Sequence, residues 1–198
     1  MNKAKQKDIS QLALIVLVIG LLNFFVATSY FRIDLTEDQR FSLGEPTKLL
    51  VDDLEDDVVV QVFLSGDLPN KYKKVEQTIK DKLNDLNYHS NTYIEYEFID
   101  PLKTYVDTTD ILYSKYLKNI GVQELIDTEF DEGNAQSMVI FPVAIVSYQG
   151  RKTLASFVDR NIPNGSPQAV AYYQSQVEYE LANAINCLLY TSPSPRDA

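Results

Sequence analysis

The feature that most constrains this chain is an uncharged run near its amino terminus. No charged residue occurs in the 23 positions from Ile9 to Phe31, and the run contains LALIVLVIGLLNFFVA. At about 1.5 Å per helical residue such a run spans roughly 34 Å, enough to cross a hydrocarbon core of about 30 Å. The sequence therefore predicts a transmembrane helix over residues 11–31, preceded by a basic segment over residues 1–10.

The flanking charges predict the orientation of this helix. Lysines precede the run and acids follow it, and basic flanks tend to remain in the cytoplasm. We therefore expect a protein of the cell inner membrane that is single-pass in this fragment, with a cytoplasmic amino terminus and a periplasmic main domain. The charges concerned are Lys3, Lys5 and Lys7 before the run, and Asp34, Glu37 and Asp38 after it.

A cleaved signal peptide is the alternative interpretation of the same run. Ala27 and Ser29 provide the small residues of a cleavage site. The apolar region of a signal peptide is about 7 to 15 residues long, which is shorter than this run. An uncleaved anchor is therefore the favoured interpretation.

Composition restricts the classes of function that remain. The 28 acidic and 18 basic side chains give a net charge of -10, whereas a nucleic-acid-binding protein needs a basic face. One cysteine, Cys187, and one histidine, His89, leave no internal disulfide, CxxC pair or ordinary zinc ligand set. We expect His89 to be exposed, and we predict a protein that is not an enzyme, with no catalytic, cofactor-binding or metal-binding residues and no cofactor.

A linker with a short helix is predicted over residues 32–56. Ser42 and Glu45 have the spacing of a capping box, and Leu49, Leu50 and Leu54 would form the apolar face of the helix. Acids cluster at its end without the spaced ligands and glycine of a calcium loop, so they are interpreted as a solvated helix end. These acids are Asp52, Asp53, Glu55, Asp56 and Asp57.

Hydrophobic periodicity predicts one α/β domain over residues 57–190, with the order β-α-β-α-β-β-α. Strands and helices are distinguished by β-branched runs and by apolar stripes at steps of three and four. The segment 125–136 is acidic and contains glycine, so a loop is expected there. The predicted elements are strands 58–64 and 93–99, helices beginning near 69 and at 110, a hairpin of 138–148 with 151–158, and a final helix over 169–190.

Carboxylate pairs in this domain do not predict an acid–base site. Glu178 and Glu180 lie two apart on a helix and should point to different faces. Glu95 and Glu97 share one strand face, which we interpret as solvated.

The order of elements resembles the thioredoxin fold. Pro142 directly precedes a strand of the predicted hairpin, where that fold usually has a cis-proline, so we expect an irregular start to the strand and a cis bond. The loop Ser65–Pro69 follows the first strand, where a redox thioredoxin carries CxxC, and it contains no cysteine. We therefore predict a thioredoxin-like scaffold without thiol chemistry.

The last residues differ in composition from the helix before them. Residues 191–198 read TSPSPRDA and, together with the preceding CLLY, resemble translated adapter or vector sequence. We interpret 191–198 as a non-native tail, and the chain as an amino-terminal fragment. No role is assigned to Cys187 for this reason.

A series of motifs along the chain resembles the GldG family of Bacteroidetes, the auxiliary component of the gliding-motility ABC transporter. The uncharged run is followed by RIDLTEDQRFSL, beginning at Arg32, and the series covers nearly all of residues 8–186. The further motifs are PTKLL, VQVFLSGDLP, YEFIDP, FPVAIVSYQGRK and VEYELANAI.

This resemblance implies a non-catalytic membrane subunit of an ABC transporter associated with gliding motility or secretion. The implied partners are an inner-membrane permease subunit, a cytoplasmic ATPase subunit and membrane lipid. The alternative is a membrane-tethered periplasmic enzyme or a chaperone-like thioredoxin-fold protein, although the loop after the first strand has no cysteine. A solute-binding lipoprotein would need a lipobox cysteine near the apolar run, and the run has none.

Overall fold

The computed structural model describes residues 3–28, 42–107, 110–131, 134–158 and 167–190. Side chains are described for these residues except 3–10, 22, 25–28, 129–131, 134–136 and 167. The chain divides into two units, Met1–Phe41 and Ser42–Ala198.

The structure is mixed α/β, with five helices and six strands among the described residues. In chain order the elements are α1 (Lys3–Thr28), α2 (Glu45–Asp52), β1 (Val58–Val62), α3 (Asn70–His89), β2 (Ile94–Phe98), α4 (Tyr113–Asn119), β3 (Leu125–Asp131), β4 (Asn134–Ile140), β5 (Val143–Tyr148), β6 (Arg151–Ser156) and α5 (Pro167–Tyr190).

The first unit contains α1, a helix of 26 residues within the predicted anchor region. Its described apolar side chains are exposed, including the six consecutive residues 14–19. Within the described part of the chain, no helix combines the length and apolarity needed to cross a membrane. Residues 29–31 of the predicted span lie outside the described residues.

A four-stranded mixed sheet forms the centre of the second unit, in the order β2-β1-β5-β6. The valine-rich β1 pairs in parallel with β2 and antiparallel with β5, so that Val60 lies between Tyr96 and Val146. The predicted parallel pair joined by a helix is therefore confirmed. The predicted β5–β6 hairpin is also confirmed. Its turn residues Gln149 and Gly150 have φ values of 47° and 75°, as a type I′ turn requires.

The helices α3 and α5 cover one face of this sheet and pack against each other. Their predicted apolar stripes are buried, because positions three and four apart share one helical face. A second cluster forms around α4, where Phe63, Leu117 and Ile145 are buried together. The buried stripes are Leu68, Tyr72, Val75, Ile79, Leu83 and Leu86 for α3, and Val170, Tyr173, Val177, Leu181, Ala184, Ile185 and Leu188 for α5.

The prediction of a loop over 125–136 is wrong. The strands β3 and β4 form an antiparallel two-stranded sheet there, with Leu125 opposite Ile140. A two-stranded arm does not need a continuous apolar face, so its acidic sequence did not show the period expected of a strand. The apolar run predicted as one strand over 138–148 is also divided, since β4 ends at Ile140 and β5 begins at Val143.

Two local predictions about proline and capping are corrected. No cis peptide bond occurs among the described residues, so the bond before Pro142 is trans. The helix α2 begins at Glu45 with Gly44 as its N-cap, and no side chain of the predicted capping box closes it. Its buried residues are Thr47 and Val51. Of the predicted apolar face, Leu54 is buried and Leu50 packs against the core, but Leu49 is exposed.

Candidate functional site

The loop after β1, the loop after β2 and the junction between β4 and β5 meet beside the carboxyl ends of the parallel strands β1 and β2. A cavity of about 340 Å³ lies there, with Ser65, Asp67, Asp100, Lys103 and Phe141 among its lining residues. In α/β proteins the carboxyl edge of parallel strands is a frequent ligand-binding position, because loops from different strands converge on it. This cavity is therefore the first candidate site.

A close approach between Gly66 and Asp100 joins the two loops. Gly66 has a φ of +104°, and a Cβ placed on it would lie 2.6 Å from both Cγ and Oδ2 of Asp100. A side chain at position 66 would have to displace the carboxylate and adopt an unfavourable backbone angle. The SGDLP and IDP segments of the sequence therefore fit together only with glycine at this position.

The carboxylate of Asp100 is engaged within its own turn. Its Oδ1 accepts a hydrogen bond from the Leu102 N–H at 3.0 Å, and its Oδ2 lies 3.3 Å from the ammonium group of Lys103. The Asp100 carbonyl also accepts the Thr104 N–H at 2.9 Å. Asp100 thus fixes the cavity wall through both side-chain and backbone oxygens.

A second polar centre joins α2 to α3 and α5. Glu178 of α5 accepts hydrogen bonds from the Gly44 N–H at 2.7 Å and the Thr47 hydroxyl at 2.9 Å, both on its Oε1. Its Oε2 lies 2.8 Å from the ammonium group of Lys82, which also donates to the Ser42 carbonyl at 2.7 Å. A carboxylate from 134 residues away therefore caps the amino terminus of α2.

The environment of Glu178 changes its acidity. Burial raises the pKa of this carboxyl. The hydrogen bonds from Lys82, Gly44 and Thr47 and the charge of Lys82 together lower the pKa by more than burial raises it, so it lies below its ordinary value of 4.5. Glu180, two residues later on another face of α5, has a pKa raised above 4.5 by burial. The prediction that these two carboxylates lie on different faces of the helix is confirmed.

A groove of about 750 Å³ runs between α2 and α5 beside this polar centre. Leu49 and Tyr179 line it from the two helices and are 66% and 62% exposed. Leu49 was predicted to face the core, but Thr47 and Val51 take that position and leave it in the groove. The groove is thus an exposed apolar surface on a rigid pair of helices.

An ion pair links the two-stranded arm to α3, in addition to the packing of Ile140 and Leu125 against the main core. Asp127 of β3 is buried, and its Oδ2 lies 2.7 Å from the ammonium group of Lys71 in the first turn of α3. Burial and the nearby Asp127 carboxylate raise the pKa of Tyr72.

The family model described as a domain of unknown function, DUF7088, matches residues 37–147. The chain belongs to the DUF7088 family. No curated protein and no solved structure matches this chain. The matched region of DUF7088 includes Gly66, Asp100 and Phe141 of the cavity, but it ends before β6 and α5 and therefore excludes Glu178 and Tyr179.

The residues singled out in the sequence are dispersed across the DUF7088 chain. His89 is the exposed last residue of α3, as predicted. Glu95 and Glu97 are exposed on one face of β2, where Gln61 donates a hydrogen bond to Glu97 at 2.7 Å. Cys187 is exposed on α5. The clustered acids after α2 are exposed, and among the described residues no group of His, Cys, Asp or Glu side chains is arranged to hold a metal ion.

Sequence reasoning missed Lys82 and the capping role of Glu178. A signal for Lys82 was present, because it lies three residues after Ile79 and therefore on the buried stripe of α3. A lysine on such a stripe needs a partner, since a buried charge is costly without one. Nothing local in the sequence identifies Glu178 as that partner.

Proposed function

We propose that this chain is a membrane-anchored, non-catalytic auxiliary component of an ABC transporter complex associated with gliding motility or secretion. The observation that carries the proposal is the uncharged run Ile9–Phe31, which is described only in part, and in that part the apolar side chains of α1 are exposed along consecutive positions. Exposed side chains on every face of a helix are suited to lipid or to another helix in a membrane. The motif series that resembles the GldG family supports the same function.

The topology of the second unit supports a thioredoxin-like scaffold within this function. The order β2-β1-β5-β6, with β1 parallel to β2 and antiparallel to β5, is the arrangement expected of that fold. A redox protein of this fold would need a thiolate in the loop after β1. In this chain Gly66 of that loop lies close against Asp100, which follows β2. We propose that the loop is structural and that the domain binds a partner or cargo in the periplasm.

The partners in this proposal are an inner-membrane permease subunit and a cytoplasmic ATPase subunit, with membrane lipid around α1. Nucleic acid is not among them, because the net charge of -10 would repel phosphates. The amino terminus lies in the cytoplasm and the DUF7088 region in the periplasm.

The anchor is tested by fractionating cells that express the full chain. We expect wild-type protein in the membrane fraction after a carbonate wash, and a reporter that is active only in the periplasm should be active when fused after Phe41. Val16→Arg with Leu17→Arg should release the chain, because two charges in an apolar helix centre are costly. The matched control is Val16→Leu with Leu17→Val. A wild-type chain in the soluble fraction would contradict the anchor.

The complex is tested by co-expressing the full chain with the permease and ATPase subunits of the proposed transporter. We expect all three proteins to elute together in mild detergent after affinity purification through a tag on the chain. Elution of the chain alone, with the permease and ATPase intact in the same extract, would contradict the transporter role. Thiol-oxidoreductase turnover by the purified chain would instead support the enzyme alternative.

A further inference from the structure

The groove between α2 and α5 has the dimensions of a binding site for one helix. Its α5 wall extends from Ser175 to Tyr190, which is about 22 Å at 1.5 Å per residue, or about four helical turns. The α2 wall contributes Leu49 and Leu50. An exposed apolar groove between two fixed helices typically receives the apolar face of an amphipathic helix.

Negative charge at one end of the groove restricts which charged side chains a bound helix can carry there. Asp53 lines the groove at the end of α2, and the neighbouring exposed acids are Asp52, Glu55, Asp56 and Asp57. No lysine or arginine occurs from Leu49 to Asp57. The carboxyl end of α2 adds a partial negative charge. The other acid in the groove, Glu178, is paired with Lys82.

We propose that this groove binds an amphipathic helix of another protein, with an apolar stripe against Leu49 and Tyr179 and lysine or arginine beside Asp53. The proposal does not depend on the transporter function. A second copy of this chain is disfavoured as the occupant, because the chain is acidic and would bring like charges together. An anionic lipid surface is disfavoured for the same reason.

The two walls of the groove differ in how firmly they are held. The α5 wall belongs to a helix whose opposite stripe is buried in the core. The α2 wall depends on Glu178, which bonds to both Gly44 and Thr47. Because the groove is formed before a partner arrives, binding should not require either helix to fold.

The test measures binding of two labelled synthetic peptides to the full chain by fluorescence anisotropy. Both peptides have 15 residues and the same leucine stripe at helical spacing, and their polar positions carry lysine in one and glutamate in the other. We expect the lysine peptide to bind roughly tenfold or more tightly than the glutamate peptide, and the difference to shrink as salt is raised. Equal binding of both peptides would overturn the proposal.

Substitutions locate the peptide on the chain. Leu49→Ser with Tyr179→Ser should weaken the lysine peptide roughly tenfold, because the two exposed side chains supply the apolar contact. The matched control is Ile126→Ser, which removes an exposed apolar side chain, 61% accessible, from the two-stranded arm. Asp53→Lys should reduce the preference for the lysine peptide, because it replaces the acid that lines the groove by a cation while the four neighbouring acids remain. Unchanged affinity in the double variant, with an unchanged circular dichroism spectrum, would overturn the proposal.

The same variants distinguish the other occupants. Sedimentation of the full chain should show no self-association that Leu49→Ser with Tyr179→Ser abolishes. Binding to phosphatidylglycerol vesicles should be equal for this double variant and wild type. If the double variant abolished either self-association or vesicle binding, a second copy or a lipid surface would be the occupant, and the proposal would be wrong.

Discussion

The ammonium group of Lys82 lies 2.8 Å from Oε2 of Glu178, and the two residues come from helices α3 and α5. The other oxygen of Glu178 accepts hydrogen bonds from Gly44 and Thr47 at the start of α2. One ion pair therefore holds three helices together. Because the Lys82 side chain is only 9% exposed, little water is available to replace these contacts.

Replacing Glu178 and replacing Lys82 should lower the free energy of unfolding by different amounts. Glu178→Gln leaves a buried ammonium with weakened partners and should lower the free energy of unfolding by about 2–4 kcal/mol. Lys82→Met should cost less, because Glu178 keeps its bonds to Gly44 and Thr47. The double variant should cost less than the sum, as measured by urea denaturation followed by tyrosine fluorescence. Additive losses would show that the pair is not coupled.

Stability should depend on pH through Glu178. Its folded pKa is below the ordinary 4.5, because hydrogen bonds and the Lys82 charge outweigh burial. The contribution of the carboxylate is therefore fully present above an unfolded pKa near 4.5, and it is lost as pH falls through the lowered folded value. The difference in unfolding free energy between wild type and Glu178→Gln should shrink between about pH 6 and pH 3. A constant difference over this range would contradict the prediction.

The pH dependence of stability that Glu180 causes should have the opposite sign to that of Glu178 on the same helix. Burial raises its folded pKa above 4.5, so the folded state binds the proton more tightly than the unfolded state does. Its contribution is most favourable below pH 4.5 and declines as pH rises through the raised value. Glu180→Gln should therefore stabilise the protein at pH 7 and have less effect at pH 3. Denaturation at the two pH values measures this, and a loss of stability at pH 7 would contradict it.

Elements governed by local periodicity were predictable from the sequence. The stripes of α3 and α5 and the turn at Gln149 and Gly150 depend on residues close together in the chain, so the pattern contains the needed information. The arm of β3 and β4 was not predictable in this way. Its pairing is within an acidic segment, and its polar contact with the body joins Asp127 to Lys71, 56 positions earlier.

The candidate sites were less predictable than the fold. The start of α2 carries a local capping signal at Ser42 and Glu45, but Glu178 provides the cap instead. Thr47, which bonds to Glu178, is buried, whereas Leu49 lines the groove. A local capping residue and a distant side chain can compete for the same helix end, and the local sequence does not show which contact is more stable. The face of the helix that stays exposed depends on which of the two contacts forms.

Substitution of Gly66 tests the contact that joins the two loops of the cavity. Gly66→Ala should lower the free energy of unfolding by about 2–3 kcal/mol, because it combines an unfavourable φ of +104° with a Cβ 2.6 Å from the Asp100 carboxylate. Gly121→Ala is the matched control. Its φ is +88° and its added Cβ meets nothing within 4 Å, so only the backbone cost of about 1 kcal/mol applies. In an Asp100→Ala background the further loss caused by Gly66→Ala should fall to the level of that control. If Gly66→Ala and Gly121→Ala cost the same in the native background, the contact with Asp100 contributes nothing to the fit of the loops.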